Sequence, residues 1–83
     1  MNRQDIHTAK AEAERFLEAV ERWAARRKAD VIAHNERATE YPSDWNKPIT
    51  MDDTRYDSGT VESGALRRAS LDLTRALARM RRP

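Results

Sequence analysis

Two histidines, a cluster of carboxylates and three serines are the residues here best suited to do chemistry, and their spacing argues against it. His7 and His34 are 27 positions apart, and on one helix rising 1.5 Å per residue they stand about 40 Å apart, too far to share a metal. Asp52, Asp53, Asp57 and Glu62 offer the oxygen ligands calcium prefers. They lack the alternating acidic positions and central glycine of an EF-hand loop, and such residues commonly serve as solvated turns and helix caps. Glycine occurs only at Gly59 and Gly64, so there is no phosphate-cradling loop. Ser58, Ser63 and Ser70 have no neighbouring histidine in sequence to act as a base. The expectation is a protein that is not an enzyme, with no metal and no cofactor.

Recognition chemistry is better represented. Residues 41 to 59 read YPSDWNKPITMDDTRYDSG, holding Trp45 and both tyrosines of the chain. Tryptophan, tyrosine and arginine dominate binding energy at protein interfaces. Tyr41, Asp44, Trp45, Asn46 and Lys47, joined by Tyr56, are therefore the expected partner-binding residues, an aromatic anchor with a polar rim. The competing expectation is that Trp45 folds down on the preceding helix as core.

A second candidate face is basic. Arg68, Arg75, Arg79 and Arg82 form a stripe on one side of the last helical segment, with Arg67 beside it and Leu71 among them. Guanidinium groups can neutralise nucleic-acid phosphates. A helix-turn-helix needs a turn of three or four residues, however, and no zinc-finger or RNP-type motif is present. Leu71 ringed by arginine better fits the centre of a protein contact, which makes nucleic acid the secondary expectation.

The elements that must position these residues are two helices. Residues 3 to 40 are mostly Ala, Glu, Arg and Leu, without Gly or Pro. Ile6, Ala9, Ala13, Phe16, Leu17, Val20, Trp23, Ala24, Val31, Ala38 and Tyr41 fall on one stripe of that helix. Three opposite-charge pairs four apart, Lys10–Glu14, Glu18–Arg22 and Arg26–Asp30, are expected on its outer faces. Arg27 interrupts the stripe, with Asp30 and His34 on the same side. Either the stripe ends near Ala24 and the rest of the helix is solvated, or a polar layer fixes register. Pro42 ends the helix.

The second helix is expected over about 61 to 82, with Asp57, Ser58, Thr60 or Ser63 as N-cap and Pro83 closing it. Leu66, Ala69, Leu73, Ala76, Leu77 and Met80 share its apolar face. Phe16, Leu17, Val20, Trp23, Leu66, Leu73 and Leu77 are the expected core or dimer residues. At about 57 and 31 Å the two helices are unequal, so the second covers only about half of the first. Either the connection, 41 to 60, or a second copy of the chain must cover the remainder.

At 83 residues without cysteine, one marginally stable helical domain spanning 1–83 is expected, with oligomerisation as its support. The first forty residues balance eight basic against eight acidic, residues 41 to 66 carry a net −3, and residues 67 to 83 carry +5. No stretch resembles a signal peptide or an apolar membrane span, which points to a cytoplasmic protein with no membrane contact. The whole describes an all-α helical hairpin of one long and one shorter helix, a homodimer with a long ordered aromatic connection. Its expected role is an adaptor or inhibitor that binds another protein. In its size and helical simplicity it is similar to the accessory proteins that temperate phages use to bind and block host proteins, which implies a host protein as partner. A nucleic-acid-associated protein and a self-assembling structural subunit are the alternatives.

Overall fold

The computed structural model describes residues 1–82; Pro83 lies outside the described residues. The chain is an all-α helical hairpin. Helix α1 spans Arg3–Glu40 and helix α2 spans Val61–Met80, stopping short of the expected Arg82. Among the described residues, no helix is long and apolar enough to cross a membrane.

The helix ends follow from local chemistry. Asn2 caps α1, its side-chain oxygen accepting the Asp5 backbone N–H at 2.8 Å, which satisfies one of the orphan donors of the first turn. At the other end Tyr41 has left helical geometry, with φ −126° and ψ 69°, as the proline after it requires. Thr60 is the N-cap of α2. Its hydroxyl accepts from the Ser63 backbone N–H at 3.1 Å while the Ser63 hydroxyl accepts from the Thr60 N–H at 3.0 Å, a reciprocal capping box with serine in the place of the usual Glu or Gln.

α2 returns antiparallel along the N-terminal half of α1. Arg26 meets Glu62 at 3.4 Å near the turn end, and the Met1 nitrogen lies 2.6 Å from the Arg82 carbonyl oxygen at the other. Alanines 9, 69 and 76 are buried between the helices, and such small side chains let two helix backbones come close. Phe16, Val20, Trp23, Leu66, Leu73 and Leu77 are only half-buried, each contributing about half of the 1.5–3 kcal/mol of a fully buried side chain. Leu17, expected with them, is 61% exposed and stands outside the hairpin core.

Of the three expected ion pairs four apart, Arg26–Asp30 closes at 3.1 Å. Arg15 finds Glu12 at 3.0 Å, a pair three apart that was not anticipated.

The C-terminal half of α1 corrects an expectation. Its stripe does not end near Ala24, because Val31, His34 and Ala38 are buried. The connection covers them, so it is the connection that completes what α2 is too short to reach.

Candidate functional site

The connection is held against α1 by side chains of α1 itself. His34 is 6% exposed. Its Nε2 stands 2.8 Å from the Lys47 carbonyl oxygen, and since a carbonyl only accepts, Nε2 carries the proton. In the neutral ring Nδ1 then accepts from the Tyr56 hydroxyl, 3.1 Å away. The two rings meet edge to face, with centroids 6.0 Å apart. One turn-neighbour along, Asn35 forms a reciprocal pair with Ile49, donating to its carbonyl at 3.0 Å and accepting its N–H at 2.8 Å.

Arg27 does the most. Its Nε donates to the Asp57 carboxylate at 2.5 Å, and its Nη2 to the carbonyls of Asp53 at 2.6 Å and of Met51. Trp23 finishes the series, its indole N–H donating to the Asp57 carbonyl at 2.8 Å.

These contacts have a pattern. The acceptor carbonyls belong to Lys47, Ile49, Met51 and Asp53, every second residue, the last two lying in a turn that the Asp53 N–H closes on the Thr50 carbonyl at 3.2 Å. The first two are met by the neighbours His34 and Asn35, the last two by Arg27, about two turns nearer the N-terminus of α1. The connection thus lies along α1 with its backbone carbonyls held by α1 side chains, turning at Thr50–Asp53 and again at Thr54–Asp57. Backbone groups that packing would otherwise leave unsatisfied are matched one by one, and among the described residues no buried side-chain polar atom lacks a partner.

Asp53 adds a local clamp. It accepts the Arg55 backbone N–H at 2.9 Å and the Arg55 guanidinium at 3.2 Å. The Arg55 backbone bond, the largest influence, holds its carboxyl below the ordinary value of 3.8; desolvation opposes it, and the charge and side-chain bond of Arg55 add to the lowering.

Just before this strap begins, the chain makes a tight turn over Ser43 to Asn46, closed by the Asn46 N–H on the Ser43 carbonyl at 3.3 Å. Trp45 is the third residue of the turn and is 95% exposed. Tyr41 beside it is 67% exposed; Asp44 and Lys47 are exposed and Asn46 half-buried. Five of the six residues expected to meet a partner therefore gather at one end of the rod. Tyr56 does not join them. It turns inward to His34 and helps to anchor the strap, so its grouping with the exposed residues is corrected.

The expectation for Arg27 is corrected as well. It does not mark a solvated half-helix: its side chain is 15% exposed and spent on the connection. Sequence did carry a signal, since Arg27, Val31 and His34 recur on one helical face. Asn35 had none.

On α2, Leu71 is 51% exposed, and a shallow hollow of about 470 Å³ is lined by Arg68, Leu71, Asp72 and Arg75. Arg68, Arg75 and Arg79 are exposed, and among the described residues none of them forms an ion pair. Both ring nitrogens of His34 are engaged, and among the described residues no three His, Asp or Glu side chains could hold a metal ion together. Comparison with protein-family models, with curated proteins and with solved structures gives no match for this chain.

Proposed function

We propose that the chain is a non-enzymatic protein-binding module, an adaptor or inhibitor, that presents Trp45 to another protein, with a host protein of a phage or prophage as the setting its character fits best. The observation that carries this reading is a tryptophan 95% exposed on a pinned turn. An indole buries about 150–250 Å² when covered, an area worth several kcal/mol at about 25 cal/mol per Å². Little of that gain would be lost to ordering, because the Lys47 carbonyl and both backbone groups of Ile49 are already fixed on α1. Tyr41, Asp44 and Lys47 supply the polar rim around the anchor.

The test is capture of partners from nuclease-treated bacterial lysate by the intact protein and by Trp45→Ala. A protein retained by the first and lost by the second, with affinity reduced by about 2 kcal/mol or more, fits an interface hot spot. Equal retention by both would remove Trp45 from the contact.

The unpaired arginines of α2 favour a second reading, binding to nucleic acid. Affinity would then fall steeply with salt, about one power of concentration per phosphate contact, and collapse on changing Arg75 and Arg79 to Glu.

A further inference from the structure

The stripe of α1 is covered unequally. Its C-terminal half, Arg27 to Ala38, lies under the connection, while on its N-terminal half Leu17 is 61% and Ile6 43% exposed beside half-buried Phe16 and Val20. Next to them, on the same side of the hairpin, an open groove of about 640 Å³ runs between the helices, floored by Phe16, Val20, Trp23 and Leu66 and edged on α2 by Ser63, Gly64, Arg67 and Ser70. Apart from Arg67 the α2 edge is made of small residues; a side-chain carbon added at Gly64 would meet nothing within 4 Å.

We infer that this face is covered by a second copy of the chain, with Leu17 of each copy seated in the groove of the other. The surface area sets the scale. The chain exposes 6586 Å², whereas a compact monomer of 9.6 kDa exposes about 5,100 Å². The excess, about 1,500 Å² per chain, makes about 3,000 Å² for two, within the range of permanent homodimers. Its radius of gyration, 18.1 Å, is also well above the about 12 Å of a compact domain this long. Pairing two rods side by side removes surface where it is most apolar.

Charge selects the same occupant. Leu17 is flanked on its own side of α1 by Glu14 and Glu21, three residues before and four after it, and the groove edge carries Arg67. All three are exposed, and none has an ion-pair partner within its own chain among the described residues. A two-fold arrangement laying α1 of one copy on α2 of the other brings those carboxylates to that guanidinium twice, once at each symmetric half. The knob, the small-residue hole and both signs of charge all reside on one face, as a self-complementary two-fold contact requires.

Sedimentation equilibrium over a wide dilution series, with far-ultraviolet circular dichroism on every sample, tests this. The intact chain should be a dimer. Leu17→Glu should raise the dissociation constant about 30-fold or more with helix content kept when measured where the chain is folded. Arg67→Glu should raise it about tenfold, and adding Glu14→Arg and Glu21→Arg to that variant should restore most of the loss. Trp45→Ala should leave it unchanged, which separates this contact from the proposed partner site. A mass of one chain at every concentration would overturn the inference and leave the groove to a different protein. So would a dimer indifferent to Arg67→Glu, or one dissolved by Trp45→Ala. Should Leu17→Glu fail to fold, Arg67→Glu and its charge-reversed rescue decide the matter alone.

Discussion

Trp45 and Trp23 are the same residue type in opposite circumstances, and each should report on its own half of the molecule. Trp45→Ala removes a side chain that is 95% exposed, so unfolding by urea should change by no more than about 0.5 kcal/mol, the usual range for surface substitutions. Its emission should be red-shifted and quenched readily by acrylamide, and Trp45→Phe should leave the bluer, protected emission of Trp23, whose indole is bonded to Asp57. A large loss of stability in Trp45→Ala would mean that the indole is packed. His34 behaves in the reverse way. His34→Ala strands the Lys47 carbonyl and the Tyr56 hydroxyl in a part-buried setting and should cost about 2 kcal/mol, whereas Tyr56→Phe removes one neutral bond and should cost about 1 kcal/mol in the same urea measurement. Equal costs for the two would show that the Lys47 bond contributes little. Phe16→Ala should fall below the 3–5 kcal/mol typical of a buried phenylalanine as long as the chain is measured as a monomer, because the ring is half-buried in the hairpin.

At the scale of elements, the helices were legible and the strap was not. Uninterrupted helix formers, a stripe every three to four residues and Pro42 place α1, since each acts through its neighbours in sequence. Thr60 and Ser63 were two of four possible caps, and only the structure shows that they cap each other. The course of residues 47 to 57 depends on carbonyls, which every residue carries alike; no side-chain pattern in that stretch says that alternate carbonyls meet Asn35, His34 and Arg27. For the same reason Trp45 could be placed inside or outside, and Tyr56 was grouped with the wrong set. Leu17 looked like core because periodicity defines a stripe wider than α2 can cover. Two consequences are measurable by thermal unfolding. Thr60→Ala should cost about 1 kcal/mol through the lost capping box, and Gly59→Ala about 1 kcal/mol or more, because Gly59 has φ +85° although nothing lies near it. The Asp53 clamp has a pH signature. Its carboxyl titrates below 3.8 in the folded chain, so its contribution is fully present at neutral pH and is lost as pH falls through that lowered value. Asp53→Asn should therefore flatten the acid limb of a stability–pH profile and leave the alkaline limb unchanged.

The whole molecule is a rod 60 Å long and 18 by 15 Å across, made of two halves that share α1. In one half α1 packs on α2; in the other it packs on the strap. Trp23 sits at the junction, lining the α1–α2 groove while bonding the strap at Asp57. The bonds of Arg27, His34 and Asn35 go to the strap and, among the described residues, not to α2, so the halves are expected to open separately, as contiguous units of unequal stability. The strap half rests on a few polar bonds concentrated on Arg27, which alone reaches Met51, Asp53 and Asp57. Arg27→Ala leaves three acceptors unmatched at once, and the loss of one partner from such a network typically costs about 1–3 kcal/mol per buried group. Hydrogen exchange should then accelerate over residues 28–40 and 47–57 while α2 and the first half of α1 keep their protection. The Trp45 turn, which ends where the strap begins, should lose its fixed orientation along with them. If protection instead falls evenly along the entire rod, the two halves form a single cooperative unit, and the exposed tryptophan is held in place by the hairpin as a whole.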